Sequence, residues 1–145
     1  MQSNWYQRIV GLNTRKRGVY LVTDEISNAL PELKKFKVGL AHIHLLHTSA
    51  SLCLNENWDP TVRQDMEMFI SRLVPENLPY KHAYEGPDDM PAHIKNCLIG
   101  TSVTVPITDG KFNLGTWQGI YLLEHRNDAH SRNVVITVNG QMSDK

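Results

Sequence analysis

The chain has 145 residues, a length that suits one domain with its own core, so we expect residues 1–145 to form a single unit. Its 15 Lys and Arg residues balance 15 Asp and Glu residues, and neither sign forms a block. No apolar run approaches the roughly 20 residues that cross a bilayer, so we expect a cytoplasmic protein that binds neither nucleic acid nor membranes. Cys53 and Cys97 lie in apolar stretches, which favours two reduced and buried thiols.

The first part of the chain has the pattern of strands around one broken helix. Residues 5–12 and 18–23 are rich in Tyr, Ile, Val and Leu and predict an opening hairpin around the basic turn NTRKRG. The acidic pair at 24–25 favours a short helix, which Pro31 breaks near residue 30. Residues 38–47 are almost continuously apolar and predict a strand covered on both faces, with the alternation continuing to Asn55.

The second part predicts two helices, a hairpin and a last strand. DPTVRQDMEMFISRLV opens with Asp59 as N-cap and Pro60 at the first helical position, and a shorter helix follows at about 89–99. The proline-rich segment between them is a long loop of the kind that often carries function. Asp109-Gly110 predicts a two-residue hairpin, and residues 133–138 a closing strand. These elements indicate an α+β fold, a mainly antiparallel β-sandwich with two to three helices.

Histidine is the residue type that could carry metal chemistry here. Seven histidines against two cysteines mean that a metal site would be based on imidazole, with a carboxylate as a further ligand. His47 stands where the apolar strand stops and polar residues begin, so a site and a core position are equal alternatives. His82 and His93 lie eleven residues apart, a spacing that by itself is weak support for a metal. His42 and His44 alternate within a strand, which favours packed or partner-facing rings.

Other polar residues extend the list of candidates. Glu85 shares a loop with His82, and Glu56 lies near the same strand end as His47, so either carboxylate could act as ligand or base. In GTWQG at 115–119, Gln118 has less structural reason to be present than the neighbouring tryptophan. The chain has no GxxxxGK[ST], GxGxxG or GxSxG motif, which argues against ATP-driven, Rossmann and α/β-hydrolase chemistry.

Several segments together resemble the YjbQ-like family, also described as secondary thiamine-phosphate synthases. They are HTSASLCLNEN, YKHAYEG, AHIKN, SVTVPITDGKFNLGTWQGIYLLE and VVITVNG. The resemblance runs from about residue 5 to residue 140. It implies a homotrimer of compact β-rich sandwiches that binds a small-molecule substrate.

The resemblance also implies a site. His47, His82 and His93 would hold a divalent metal, with zinc favoured and magnesium the alternative for diphosphate chemistry, and a fourth position would stay open. The implied catalytic residues are Ser49, Glu56 and Glu85, and the implied substrate-binding residues are Asn55, Gln118, Glu124 and Arg126.

The implied reaction is a weak thiamine-phosphate synthesis, in which hydroxymethylpyrimidine diphosphate is joined to a thiazole phosphate with loss of diphosphate. Two alternatives use the same pocket. One is a trimeric small-molecule binding protein without catalysis, and the other is a zinc-dependent hydrolase in which Glu56 or Glu85 acts as base.

Overall fold

A computed structural model describes residues 3–144 of the chain. The helices and strands within these residues are β1 Ser3–Gly11, β2 Gly18–Leu21, α1 Thr23–Asn28, β3 Phe36–Leu45, β4 Ala50–Glu56, α2 Pro60–Leu73, α3 Asp89–Ile99, β5 Ser102–Thr108, β6 Lys111–Phe112, β7 Gln118–Glu124 and β8 Asn133–Met142. A 3₁₀ turn, Pro31–Lys35, connects α1 to β3. None of the helices in residues 3–144 is long and apolar enough to span a membrane.

The strands form two antiparallel sheets that pack face to face. The larger sheet has the order β1-β8-β3-β5-β6 and the smaller one β2-β7-β4. Side chains such as Ile43 of β3 and Leu122 of β7 fill the space between the sheets. On its other face the smaller sheet is covered by α2, which contacts β2, and by α3, which contacts β4. The predicted α+β class and the antiparallel sandwich are therefore confirmed.

Two predictions about the strands are wrong. The opening hairpin does not form, because β1 pairs with β8 and β2 pairs with β7, so the chain crosses from one sheet to the other between them. Within the single chain, strand β3 is covered on one face only, since Ala41 and Ile43 are buried while Leu40 and His42 on the opposite face are exposed. It is a half-buried antiparallel strand whose outer face also carries apolar residues.

The helix and turn signals are confirmed. Helix α2 begins after Asp59, whose Oδ1 accepts a hydrogen bond from the amide of Thr61 at 3.0 Å. Asp109 and Gly110 have φ angles of 49° and 81°, as the hairpin between β5 and β6 requires. The break near residue 30 separates α1 from the 3₁₀ turn. These local signals were reliable because each depends on only a few neighbouring residues.

Candidate metal centre

Four segments meet at one end of the smaller sheet. They are the β3–β4 connection, the proline-rich loop, the first turns of α3 and the connection after β7. Helix α3 begins at Asp89, which follows Asp88 at the N-cap position, and His93 lies one turn further along. Negative carboxylates are stabilised at this positive end of a helix. The fold thus brings loop and helix side chains to one place.

Asp89 is the centre of a compact cluster of donor atoms. Its Oδ2 lies 2.7 Å from Nε2 of His82 and 3.2 Å from Nε2 of His93. The Asp89 side chain is 3% exposed, whereas those of His82 and His93 are 39% and 32% exposed. Burial by itself would raise the pKa of Asp89, but the hydrogen bond from His82 and the charges of His93 and Arg126 lower it overall. Asp89 is therefore an anion at neutral pH, with both rings above it facing solvent.

A backbone carbonyl selects the tautomer of His93. Its Nδ1 lies 2.7 Å from the carbonyl oxygen of Thr48, and since a carbonyl only accepts, Nδ1 carries a proton. In a neutral ring Nε2 is then an unprotonated acceptor, and it faces a second acceptor, Oδ2 of Asp89. A cation between these two atoms would satisfy both lone pairs at once. This part of the structure is therefore suited to hold a divalent cation.

Arg126 holds the acidic residues in place. Its Nε donates to Oδ2 of Asp88 and its Nη1 to Oδ1 of Asp89, each at 2.9 Å, and its Nη2 donates to the carbonyl oxygen of Glu85 at 2.8 Å. The sequence predicted Arg126 as a substrate-binding residue. All three of its nitrogen atoms are engaged by the protein, so in this structure it orients Asp89 and leaves Oδ2 for the imidazoles.

An open cavity lies over the two rings. Its volume is about 540 Å³, within the range of small-molecule sites, and its walls are Thr48, His82, Met90, His93, Asn96 and Cys97. Cys97 is exposed and Cys53 is half-buried, so the prediction of two buried thiols is wrong. Cys97 is exposed because it faces this opening from α3. A ligand in the cavity would touch imidazole, thioether and thiol groups together.

Known proteins of one family match this chain over almost its whole length. The sequence profile of the family described as UPF0047 protein YjbQ-like matches residues 8–141. The UPF0047 protein YjbQ of Escherichia coli O157:H7 is 53% identical over 137 residues, which cover 94% of this chain and 99% of that protein. The chain belongs to the YjbQ-like family. This confirms the resemblance found in the sequence motifs.

Solved structures support the YjbQ-like fold. A YjbQ/UPF0047 family protein from Clostridium acetobutylicum has a TM-score of 0.80 at 33% identity, covering 90% of this chain and 98% of that one. A crystal structure described as a YbjQ-like protein of unknown function, from Sulfolobus solfataricus P2, has a TM-score of 0.85 at 21% identity, covering 97% and 100% of the two chains. The second comparison supports the fold alone.

The three histidines predicted as ligands are not all together in this YjbQ-like protein. Nitrogen and oxygen atoms of His82, His93 and Asp89 lie within 4.8 Å of one another, and His47 is not part of this group. Nε2 of His47 accepts a hydrogen bond from the amide of Asn133 at 2.8 Å. Burial first, and then the charge of Arg132, lower the pKa of His47. Its ring is neutral and its Nε2 lone pair is committed to the backbone.

Ser49 and Glu124, predicted as catalytic and substrate-binding residues, lie in a buried cluster around Arg132. Both carboxylate oxygens of Glu124 accept hydrogen bonds from Arg132 at 2.6 Å, and Oγ of Ser49 accepts one at 2.8 Å. Glu124 is completely buried and Arg132 is 4% exposed. The structure thus gives Ser49 and Glu124 a buried protein partner, Arg132.

Asn55, Glu56 and Gln118 lie at the other end of the smaller sheet. Glu56 is paired with Gln118 in the ladder, whereas Ala50 at the near end is paired with Glu124. The six steps along β4 between these pairs correspond to about 20 Å. The Glu56 carboxylate accepts hydrogen bonds from the amides of residues 58 and 59. Glu85, the other predicted catalytic carboxylate, is exposed, and its backbone carbonyl accepts a hydrogen bond from Arg126, which also binds Asp89.

Asp89 was not predicted from the sequence as a candidate ligand, and Arg132 was not predicted as a buried partner. A signal for Asp89 was present, because Asp89 and His93 are four residues apart on a predicted helix and therefore share one face. No local pattern indicates Arg132. It lies in a polar loop, and its burial depends on strands far away in the sequence.

The buried His125 behind this centre gives a prediction about pH. Its Nε2 shares a hydrogen bond with Oγ of Ser51 at 2.9 Å, while Nδ1 has no partner within residues 3–144. Burial, followed by the charges of Lys95 and Arg132, lowers its pKa from 6.5 to about 3. Below pH 6.5 the unfolded chain takes up a proton on His125 that the folded chain does not, so the folded state loses stability as the pH falls toward 3. We expect this residue to lower the free energy of unfolding by about 2 kcal/mol between pH 7.5 and pH 5.

The variant His125→Gln retains a hydrogen-bond partner for Ser51 but cannot take up a proton. It should lack this part of the pH dependence when the free energy of unfolding is measured with urea at both pH values. An equal change in the free energy of unfolding between the two pH values for the wild type and His125→Gln would contradict the lowered pKa of His125.

Proposed function

We propose that this YjbQ-like protein depends on a divalent metal, with zinc favoured, held by His82, His93 and Asp89. The observation that carries the proposal is the convergence of both Nε2 atoms on Oδ2 of Asp89, at 2.7 and 3.2 Å. Donor atoms around a four-coordinate zinc lie roughly 3.3 Å apart, so the spacing fits with little movement. The set differs from the one predicted from sequence, because Asp89 takes the place of His47.

The donor chemistry supports zinc over magnesium. Magnesium prefers oxygen ligands, whereas two imidazoles and a carboxylate are a set used in catalytic zinc sites. Thr48 fixes the ring of His93 through Nδ1, and Arg126 fixes Asp89 through Oδ1. Such outer partners orient ligands before the metal arrives. When bound, the ion would polarise a phosphate or carbonyl oxygen of the substrate.

For the reaction, we propose a weak thiamine-phosphate synthesis in the cavity above the rings. Family membership is the main support. Departing diphosphate needs positive charge, yet Arg126 is engaged by Asp88 and Asp89. Lys95 is buried, and burial lowers its pKa. Lys81, which precedes His82, is exposed but carries a single charge. A divalent ion at His82, His93 and Asp89 would supply the additional charge.

The test measures thiamine phosphate formed from hydroxymethylpyrimidine diphosphate and thiazole phosphate. We expect metal-stripped protein to be inactive, zinc to restore the activity and His82→Gln to lower the rate roughly 100-fold. His130→Gln, a histidine substitution in an exposed loop, is the matched control and should leave the rate unchanged. Synthesis without metal, or an unchanged rate in His82→Gln, would overturn the proposal.

Two results would replace the proposed reaction. Zinc retained without any turnover would favour the non-catalytic binding protein. Hydrolysis of phosphate esters or amides without synthesis would favour the hydrolase, with Glu85 as the candidate base.

We further propose that the chain assembles as a homotrimer. The resemblance implies this state, and the outer face of the larger sheet supports self-association. Trp5, Ile9, Val38 and Leu40 lie on that face and are 73%, 64%, 51% and 55% exposed. Light scattering on the eluting protein should give three times the chain mass of 16.5 kDa. A monomer mass at micromolar concentration would contradict the trimer.

The cytoplasm is the compartment that we propose. Both cysteines are free thiols, which is typical of a reducing environment. Cell fractionation would test this, and recovery in a secreted fraction would contradict it.

A further inference from the structure

A second cleft lies far from the proposed metal centre. It is formed by α1, the 3₁₀ turn and the β5–β6 hairpin, and its volume is about 420 Å³. The cleft lies at the end of the sandwich where β3 begins, at Phe36. The proposed metal centre lies at the opposite end, where β3 finishes at Leu45. The nine steps along β3 separate the two regions by roughly 30 Å. The volume falls in the range of small-molecule sites.

The floor of this cleft is apolar. Leu30 and Leu33 are buried members of the core, and Phe112 and Leu114 are half-buried and pack against that core. Apolar side chains at the bottom of a concave site favour a ligand with an apolar body. Phe112 also offers a ring face against which a flat ligand could stack.

The rim of the cleft carries two lysines on adjoining backbone segments. Gly110 has a φ of +81°, and a Cβ there would lie 3.0 Å from Cα of Lys34, so the hairpin turn touches the 3₁₀ turn. Lys111 follows Gly110 directly and also lines the cleft, as Lys34 does. Both lysines therefore lie at the same edge of the cleft.

These two lysines have no ion-pair partner within 4.0 Å among residues 3–144. Nearby acidic residues include Asp24, which follows Thr23 of the cleft wall and is exposed, Asp109, in the exposed turn, and Glu32, whose carboxylate pairs with Arg8 at 3.6 Å. The opposite wall offers small polar side chains, including Ser27 and Asn28. The positive charge at the rim is thus free to meet an anion.

We propose that this cleft, named the Lys34–Lys111 cleft, binds a small amphiphilic anion. The apolar body of the ligand lies on Leu33, Phe112 and Leu114, and its carboxylate, sulfonate or phosphate group meets the two ammonium groups. The site is independent of the metal centre, so a ligand here would act separately from the proposed reaction.

The probe for this proposal is 1-anilinonaphthalene-8-sulfonate, followed by its fluorescence. We expect saturable binding of one probe per chain and a dissociation constant about tenfold higher in Lys34→Gln/Lys111→Gln. Lys16→Gln/Lys35→Gln removes the same net charge outside the cleft and should leave the constant unchanged. N-phenyl-1-naphthylamine, which lacks the sulfonate, should bind more weakly than the anion and equally to all three proteins.

A second variant separates the cleft from other apolar surfaces. Ser27→Trp fills the opening and should abolish saturable binding while the protein unfolds at an unchanged temperature. Added zinc should leave the probe affinity unchanged, so this result is independent of the metal-centre test. Failure of the probe to saturate, equal affinity in the Lys34→Gln/Lys111→Gln protein, or unchanged binding in Ser27→Trp would overturn the proposal.

Discussion

Replacing Arg132 with methionine is expected to lower the free energy of unfolding by about 3–5 kcal/mol. Arg132 makes two hydrogen bonds of 2.6 Å to Glu124, and Glu124 has no exposed surface. Methionine fills a similar volume but leaves the Glu124 carboxylate buried without a counter-charge. Urea unfolding monitored by circular dichroism measures the change.

Two further variants separate this effect from a general loss of charge. Arg132→Met/Glu124→Gln removes the stranded anion and should recover part of the lost stability. Arg17→Met removes an arginine that is 36% exposed and pairs with Glu67 and Glu76 on the surface, so it should cost no more than about 1 kcal/mol. A cost below that value for Arg132→Met would contradict the buried ion pair.

Replacing Asp89 with asparagine is expected to weaken zinc binding roughly 100-fold or more. The amide keeps the shape of the carboxylate but loses its charge and the oxygen on which His82 and His93 converge. Competition against a zinc-sensitive dye measures the dissociation constant, and the unfolding temperature shows whether the fold is retained.

Two other aspartates, at different distances from the proposed ligands, serve as controls for Asp89→Asn. Asp88→Asn should weaken zinc binding about tenfold, because Asp88 holds Arg126 and reaches the ligands only through it. Asp128→Asn removes an exposed carboxylate from the loop after β7 and should change nothing. Equal zinc affinity in Asp89→Asn and the wild type would exclude Asp89 as a ligand.

The parts of the fold that the sequence predicted correctly are the local ones. The N-cap Asp59 and the turn at Asp109-Gly110 involve residues adjacent in the chain, and the structure has both. The pairing of β1 with β8 joins residues such as Trp5 and Asn139, more than a hundred positions apart. Strand pairing of this kind depends on which sheet buries each strand, and hydrophobic alternation alone does not contain that information.

The sequence likewise predicted only part of the candidate site. Family motifs placed His82 and His93 in one site, and the structure brings both to Asp89. The same motifs included His47 and Glu56, but a motif residue can be retained for its backbone contacts. His47 accepts from the amide of Asn133, and Glu56 accepts from the turn that follows it. Such contacts need the three-dimensional neighbours, which the motifs do not specify.

The proposed zinc site consists of His82, His93 and Asp89. Anomalous diffraction at the zinc absorption edge, from crystals of the zinc-loaded protein, locates the ion. We expect one strong peak per chain in contact with Nε2 of His82, Nε2 of His93 and a carboxylate oxygen of Asp89. A peak bound to His47 without Asp89, or no peak at His82 and His93, would contradict the proposed site.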